Sequence, residues 1–246
     1  MAENIEPAPP RSGVHRAAGH RWVWLTLAKV LVWLAVLISG GYLLVGPLAG
    51  LVQGEDSLVA SMQDASTPLL DDLSNIGSRA ADTPVIIGLA ALIGLALRLV
   101  LKRWLEPFLL WATVALQTSM FLLVTLLVSR DRPELEQMDP APPTSSFPSG
   151  HTGAATALWL GLALILAGRI RRRGLRVLVV GLLLLIPAAV GVTRLYRGMH
   201  HPSDVVFGVL NGVVAVLIAR SAVLGMRPEQ DQPEKDQLEP RRFPAV

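Results

Sequence analysis

Residues 105–128, LEPFLLWATVALQTSMFLLVTLLV, decide the fold. A bilayer-spanning helix needs about 20 mostly apolar residues, and this stretch supplies them without the period-2 alternation of a membrane barrel. Five more runs of the same kind flank it: Trp22–Leu48, Pro84–Leu101, Thr152–Ala167, Val177–Val192 and Val205–Leu224. Thr152–Ala167 and Val177–Val192 are near the lower length limit and, taken alone, would also suit buried helices of a soluble domain. Six such runs in a chain of 246 residues, with 52% hydrophobic content and mean hydropathy +0.48, argue against that alternative. The expected fold is all-α: a polytopic membrane protein with six transmembrane helices, forming one domain over residues 22–224.

Charge sets the expected topology. Arg11, Arg16 and Arg21 precede the first run, Lys102 and Arg103 follow the second, and Arg169, Arg171, Arg172, Arg173 and Arg176 follow the fourth. The connection after the first run instead carries Glu55, Asp56, Asp64, Asp71, Asp72 and Asp82 against the single Arg79. By the positive-inside rule the tails 1–21 and 225–246 are cytoplasmic, in what reads as a bacterial inner membrane, and the acidic connection is extracytoplasmic. The basic loops explain the pI of about 9.8, so no nucleic-acid partner is implied.

The first run is too long, and its preceding tail too polar and Pro-rich, for a cleaved signal peptide. Lys29 is placed to snorkel to the cytoplasmic interface. The C-terminal tail, rich in Pro, Glu, Gln and Arg, reads as disordered. The absence of cysteine excludes disulfides, thiolate metal sites and a cysteine nucleophile. Residues 51–83 keep helical periodicity through Leu58, Val59, Met62, Leu69, Leu70, Leu73 and Ile76, which predicts an amphipathic helix or helix pair on the outer surface. The proline-rich stretch Ser129–Ser146 is expected to run extended and rigid. Pro202 stands where a first-turn proline would open the last helix.

Three of the five histidines fall in two polar stretches between apolar runs, Phe147-Pro-Ser-Gly-His151 and Thr193-Arg-Leu-Tyr-Arg-Gly-Met-His200-His-Pro-Ser-Asp204. Imidazole titrates near neutrality and serves as nucleophile or acid without large tuning. In the first stretch, Ser149 offers a hydroxyl and Gly150 a close backbone approach, at a helix start that favours an anion. A plain serine cap with a satisfied histidine behind it fits the same residues. In the second, Asp204 lies in the first turn after Pro202 and can reach back to His200, fixing its tautomer, or can simply complement the helix dipole. Arg130, Arg132, Arg194 and Arg197 sit on the side where basic residues are disfavoured. Phosphate binding by guanidinium forks gives them a reason to be there; interfacial snorkelling is the competing one. His201 reads as an interfacial neighbour, since no third metal ligand accompanies the histidine pair.

Together, Arg132-Pro133, Pro148-Ser149-Gly150-His151, and Arg194 with His200 and Asp204 beyond it closely resemble the type 2 phosphatidic acid phosphatases. These are integral-membrane lipid phosphate phosphatases that share their site pattern with vanadium haloperoxidases and bacterial acid phosphatases. The resemblance implies that His200 attacks phosphorus to form a phosphohistidine, with Asp204 orienting it. It also implies that His151 protonates the leaving oxygen, and that Arg132, Arg194, Ser149 and the Gly150 amide hold the phosphoryl oxygens. No metal or other cofactor is implied. The partners are the bilayer and a lipid phosphate substrate: a polyprenyl diphosphate such as undecaprenyl diphosphate, phosphatidic acid or phosphatidylglycerol phosphate. The composition modestly favours the first.

Two departures stand out. The family lysine seven residues before the first arginine is Thr125 here, so one phosphate-binding cation is missing, with Arg197 or Arg130 as candidate replacements. Thr193 replaces a family serine and keeps the hydroxyl. The missing lysine leaves open a phosphotransferase using the same phosphohistidine or a catalytically weakened lipid-binding protein. It also argues against haloperoxidase chemistry.

Overall fold

The structure, a computed structural model, describes residues 12–225. The expectations for residues 1–11 and 226–246, including the disordered C-terminal tail, lie outside the described residues. All regular structure among the described residues is helical: α1 Ser12–Val45, α2 Glu55–Asp64, α3 Pro68–Arg79, α4 Thr83–Leu101, α5 Leu105–Leu127, α6 Gly150–Ala167, α7 Arg173–Tyr196 and α8 Pro202–Gly225, with a short 3-10 turn at Ala49–Leu51. Six of these, α1 and α4 to α8, are long and apolar enough to cross a membrane. The protein is a multi-pass membrane protein. Leu92, Leu99, Leu126, Val177 and Leu185 are all more than half exposed around the bundle, as lipid-facing side chains should be.

Several helices outrun their apolar stretches. Helix α1 begins at Ser12 rather than near Trp22, because no proline interrupts the chain between Pro10 and Pro47. Helix α7 continues past Val192 to Tyr196, which puts Arg194 inside the helix. Hydropathy marks only the part of a helix that meets lipid, and polar side chains that find partners let it continue.

Helix α6 is the central element, packed against α4, α5, α7 and α8, and more than half of its span is buried. It is built for contact, with Gly153, Ala154, Ala155, Thr156, Ala157 and Gly161 along it. The seam with α8 is tightest. A methyl at Gly208 would meet the Ser149 carbonyl at 2.5 Å, and one at Gly212 would meet Thr156 Cβ at 2.5 Å. Small residues four apart let helix backbones close up where lipid offers no hydrophobic drive. Asn211, fully buried between these glycines, donates to the Gln117 carbonyl of α5 and accepts from the Trp33 indole of α1.

The connection between α1 and α4 forms the expected helix pair, α2 and α3, with an unexpected orientation. Leu69, Leu70, Leu73 and Ile76 of α3 are exposed, while Ser74 and Ser78 are buried against α7. Helix α3 is amphipathic with its polar face turned inward, because what it covers is polar.

Candidate active site

The N-termini of α6 and α8 and the C-terminal end of α7 meet at the end of the bundle capped by α2 and α3. The segment between Val128 and Gly150 has no helix or strand and wraps this end. A cavity of about 290 Å³ opens there, and Arg132, Gly150, His151, Arg194 and His200 all line it. Residues drawn from three separate stretches of sequence thus share one space. A second arm of the cavity runs between α4 and α5, edged by Ile87 and Leu122, which are exposed on the outside of the bundle.

His200 is almost wholly buried. Its Nδ1 lies 2.8 Å from the Ser146 carbonyl. A carbonyl only accepts, so Nδ1 carries the hydrogen and Nε2 keeps its lone pair. Asp204 was expected to make this bond, but its carboxylate stands 3.8 Å from Nδ1, at ion-pair distance. It is instead occupied as the acceptor for Ser146 Oγ (2.8 Å), Arg130 Nη1 (2.6 Å) and the His201 backbone N–H (2.9 Å). The last is the reaching-back contact of a capping box, with Pro202 at the first helical position. Asp204 therefore acts on His200 through space and through Ser146. Burial pushes the His200 imidazole below its ordinary value, with Arg194 and Arg132 adding to the fall and Asp204 opposing it.

His151 Nε2 lies 3.1 Å from Asp82 Oδ1. Asp82 precedes α4 and entered the sequence reading only as part of an acidic loop. Arg132 Nη1 donates to the Met199 carbonyl at 2.6 Å, one residue before His200. Arg194 is 3% exposed. Its Nη1 donates to Ser78 Oγ (2.5 Å) and Asp139 Oδ2 (2.7 Å), while Nε is buried without a partner. A native buried donor left unsatisfied needs an explanation, and a bound anion supplies one.

Other candidates are placed elsewhere. The Ser149 hydroxyl is fully buried and pairs with Thr152 Oγ1 at 3.0 Å, turned away from the cavity. Arg130 does not line the cavity; besides Asp204 it donates to Ser203 Oγ (2.7 Å) and Glu55 Oε2 (2.9 Å). Arg197 is held by Asp139 Oδ1 (2.8 Å), the Met138 carbonyl and Ser74 Oγ. Neither guanidinium is free to stand in for the missing lysine. Thr125 turns its hydroxyl back to the Leu122 carbonyl at 2.9 Å. His201 is more than a neighbour, with Nδ1 3.2 Å from Asp204 and Nε2 3.1 Å from Asp56 of α2.

Glu55, Asp82, Asp139 and Ser146 are the participants that sequence reasoning missed. Glu55 receives Arg130 and also caps α8, accepting from Ser203 N at 2.7 Å. Burial alone would raise the Asp139 carboxyl; hydrogen bonds from Arg197 and Ser78 and both arginine charges overrule this and hold it below the usual range. The signal available was the four arginines themselves. Arginine charge taken out of water requires carboxylates, and for Arg130, Arg194 and Arg197 the adjoining segments hold them.

A sequence model of the PAP2 superfamily matches residues 81–226. No curated protein matches the chain. Among solved structures, the fold is similar to a transmembrane PAP2 type phosphatidylglycerolphosphate phosphatase from Bacillus subtilis, with a TM-score of 0.69 and 16% identity over 82% of this chain and 98% of that one. It is also similar to LpxE from Aquifex aeolicus, with a TM-score of 0.54 and 23% identity over 67% of this chain and 93% of that one.

Proposed function

The chain belongs to the PAP2 superfamily, and from that premise we propose that it hydrolyses the phosphate or diphosphate of a membrane lipid through a phosphohistidine at His200. The observation that carries this reading is the shared cavity: two histidines and two arginines at its polar end, and an apolar arm leading out between α4 and α5. Such a shape takes a headgroup inward and leaves the hydrocarbon chain in lipid.

The chemistry follows from which nitrogen is free. With Nδ1 donating to Ser146, His200 Nε2 attacks phosphorus, and the bond from phosphorus to the lipid oxygen breaks. Asp82 holds the Nε2–H of His151, so the imidazolium gives its Nδ1 proton to the departing oxygen. Water then attacks the phosphohistidine, His151 takes back a proton, and inorganic phosphate leaves. Arg132, Arg194 and the Gly150 amide at the start of α6 stabilise the charge on the equatorial oxygens. Asp204 supports the charge that His200 acquires during attack. The basic loops lie at the opposite end of the bundle from this cavity, which by the positive-inside rule supports an extracytoplasmic site.

The purified protein, mixed with lipid phosphate labelled in the terminal phosphoryl group, should release free phosphate. It should also yield an acid-labile, alkali-stable phosphoprotein on rapid quench. His200→Ala should abolish both, and unchanged turnover in that variant would falsify the nucleophile assignment. Phosphate appearing on an added acceptor rather than free would make the enzyme a transferase.

A further inference from the structure

The apolar arm of the cavity contains a polar group that hydrolysis of phosphate does not use. Gln117 lines the arm from α5, together with Val114, Thr118 and Phe121. It is 1% exposed, and its Nε2 has no hydrogen-bond partner. Its own carbonyl Oε1 has only a long contact of 3.4 Å from Thr118 Oγ1. Space for the amide is provided by Gly153, where any Cβ would collide with Gln117 Nε2. A buried amide of this kind, inside a membrane span, is costly unless something pairs with it.

The position defines the partner. Gly153 lies three residues beyond Gly150 on α6, about 4.5 Å deeper at the helical rise. The amide therefore sits roughly one turn below the polar end where the phosphate would be held. In a glycerol-based lipid phosphate, ester carbonyls occur at that remove from phosphorus. A polyprenyl chain has only hydrocarbon there, and would bury the amide without satisfying it. Discrimination is strongest where a site built to hydrogen-bond meets an analogue that lacks the group.

We propose that Gln117 donates to an acyl ester carbonyl of the substrate, which makes this enzyme selective for acylglycerol phosphates over polyprenyl phosphates. This rests on the lipid phosphatase reading above and narrows its substrate class, against the modest preference drawn from composition.

Phosphatidic acid with two ester-linked chains and its matched dialkyl ether analogue, which lacks both carbonyls, form the test pair. Each is presented at equal surface concentration in detergent micelles to the full-length protein. The ester lipid should be turned over with a kcat/KM about fivefold to tenfold higher, the yield of one hydrogen bond of ordinary strength. In Gln117→Met the ratio should collapse toward one. Because the ratio is read within a single preparation, partial loss of folded protein cancels; Gln117→Leu serves if the first variant is inactive. Equal kcat/KM for the two lipids in the unaltered enzyme overturns the proposal, as does a ratio that survives both substitutions. Release of phosphate from a polyprenyl diphosphate but from neither of these lipids overturns it as well, whereas release from none of the three would instead sink the phosphatase reading.

Discussion

At one end of the bundle Arg171, Arg172, Arg173 and Arg176 are exposed and make no side-chain hydrogen bond or ion pair with any described residue. At the other, Arg130, Arg194 and Arg197 are buried among carboxylates. The first group needs nothing from the fold; its expected role, by the positive-inside rule, is to set topology by charge alone. The second persists only because Glu55, Asp139 and Asp204 meet it. Arg132, the fourth arginine at this end, bonds only a carbonyl. Its guanidinium lines the cavity, as does Arg194 with its unpartnered Nε. An arginine's role is thus read from what its donors lack, more than from its charge.

That contrast can be broken in graded steps. Arg194→Gln should lower kcat/KM toward a lipid phosphate by about 10³-fold, the cost of removing a transition-state donor. An activity within tenfold of the unaltered enzyme would dissolve the distinction. Asp204→Asn should cost roughly 10²-fold, less than the ~10⁴ found where a carboxylate itself fixes the histidine tautomer, because Ser146 does that here. Asp204 raises the His200 pKa, so its neutralisation should also move the acid limb of the kcat/KM profile to lower pH. A limb that stays put or rises would contradict the electrostatic role.

Thr125→Lys restores the cation absent from α5 and should raise kcat/KM by up to about tenfold, one charge-assisted hydrogen bond. Any fall would mean that the cavity has no place for it. Arg172→Gln should leave kcat/KM within experimental error, and a clear loss would show that the exposed group does more than set topology.

Much of this was legible from residues alone. The apolar runs announced six spans, and Arg132, His151, Arg194 and His200 stood out as polar residues between them. Spacing put Asp204 within reach of His200, yet could not say that Ser146 would take the nitrogen first. Glu55, Asp82 and Asp139 escaped because they lie between 55 and 148 residues from the groups they contact, and no local periodicity encodes such pairs. For α3 the periodicity was readable while its direction was not. Which face turns inward depends on whether the covered surface is greasy or charged, and that is a property of the assembled bundle.

The glycine seam between α6 and α8 has a mechanical consequence. His151 sits at the head of one helix, and His200 two residues before the other. With Ser149 held by the Asp204 carbonyl and no room for a methyl at Gly208 or Gly212, the two helices cannot slide past one another. In the proposed mechanism the two imidazoles are the fixed jaws of a vice, and it is the lipid that must travel between them. A single carbon added at Gly212, deep in the bilayer and far from either imidazole, would spread those jaws and act as an active-site mutation at a distance.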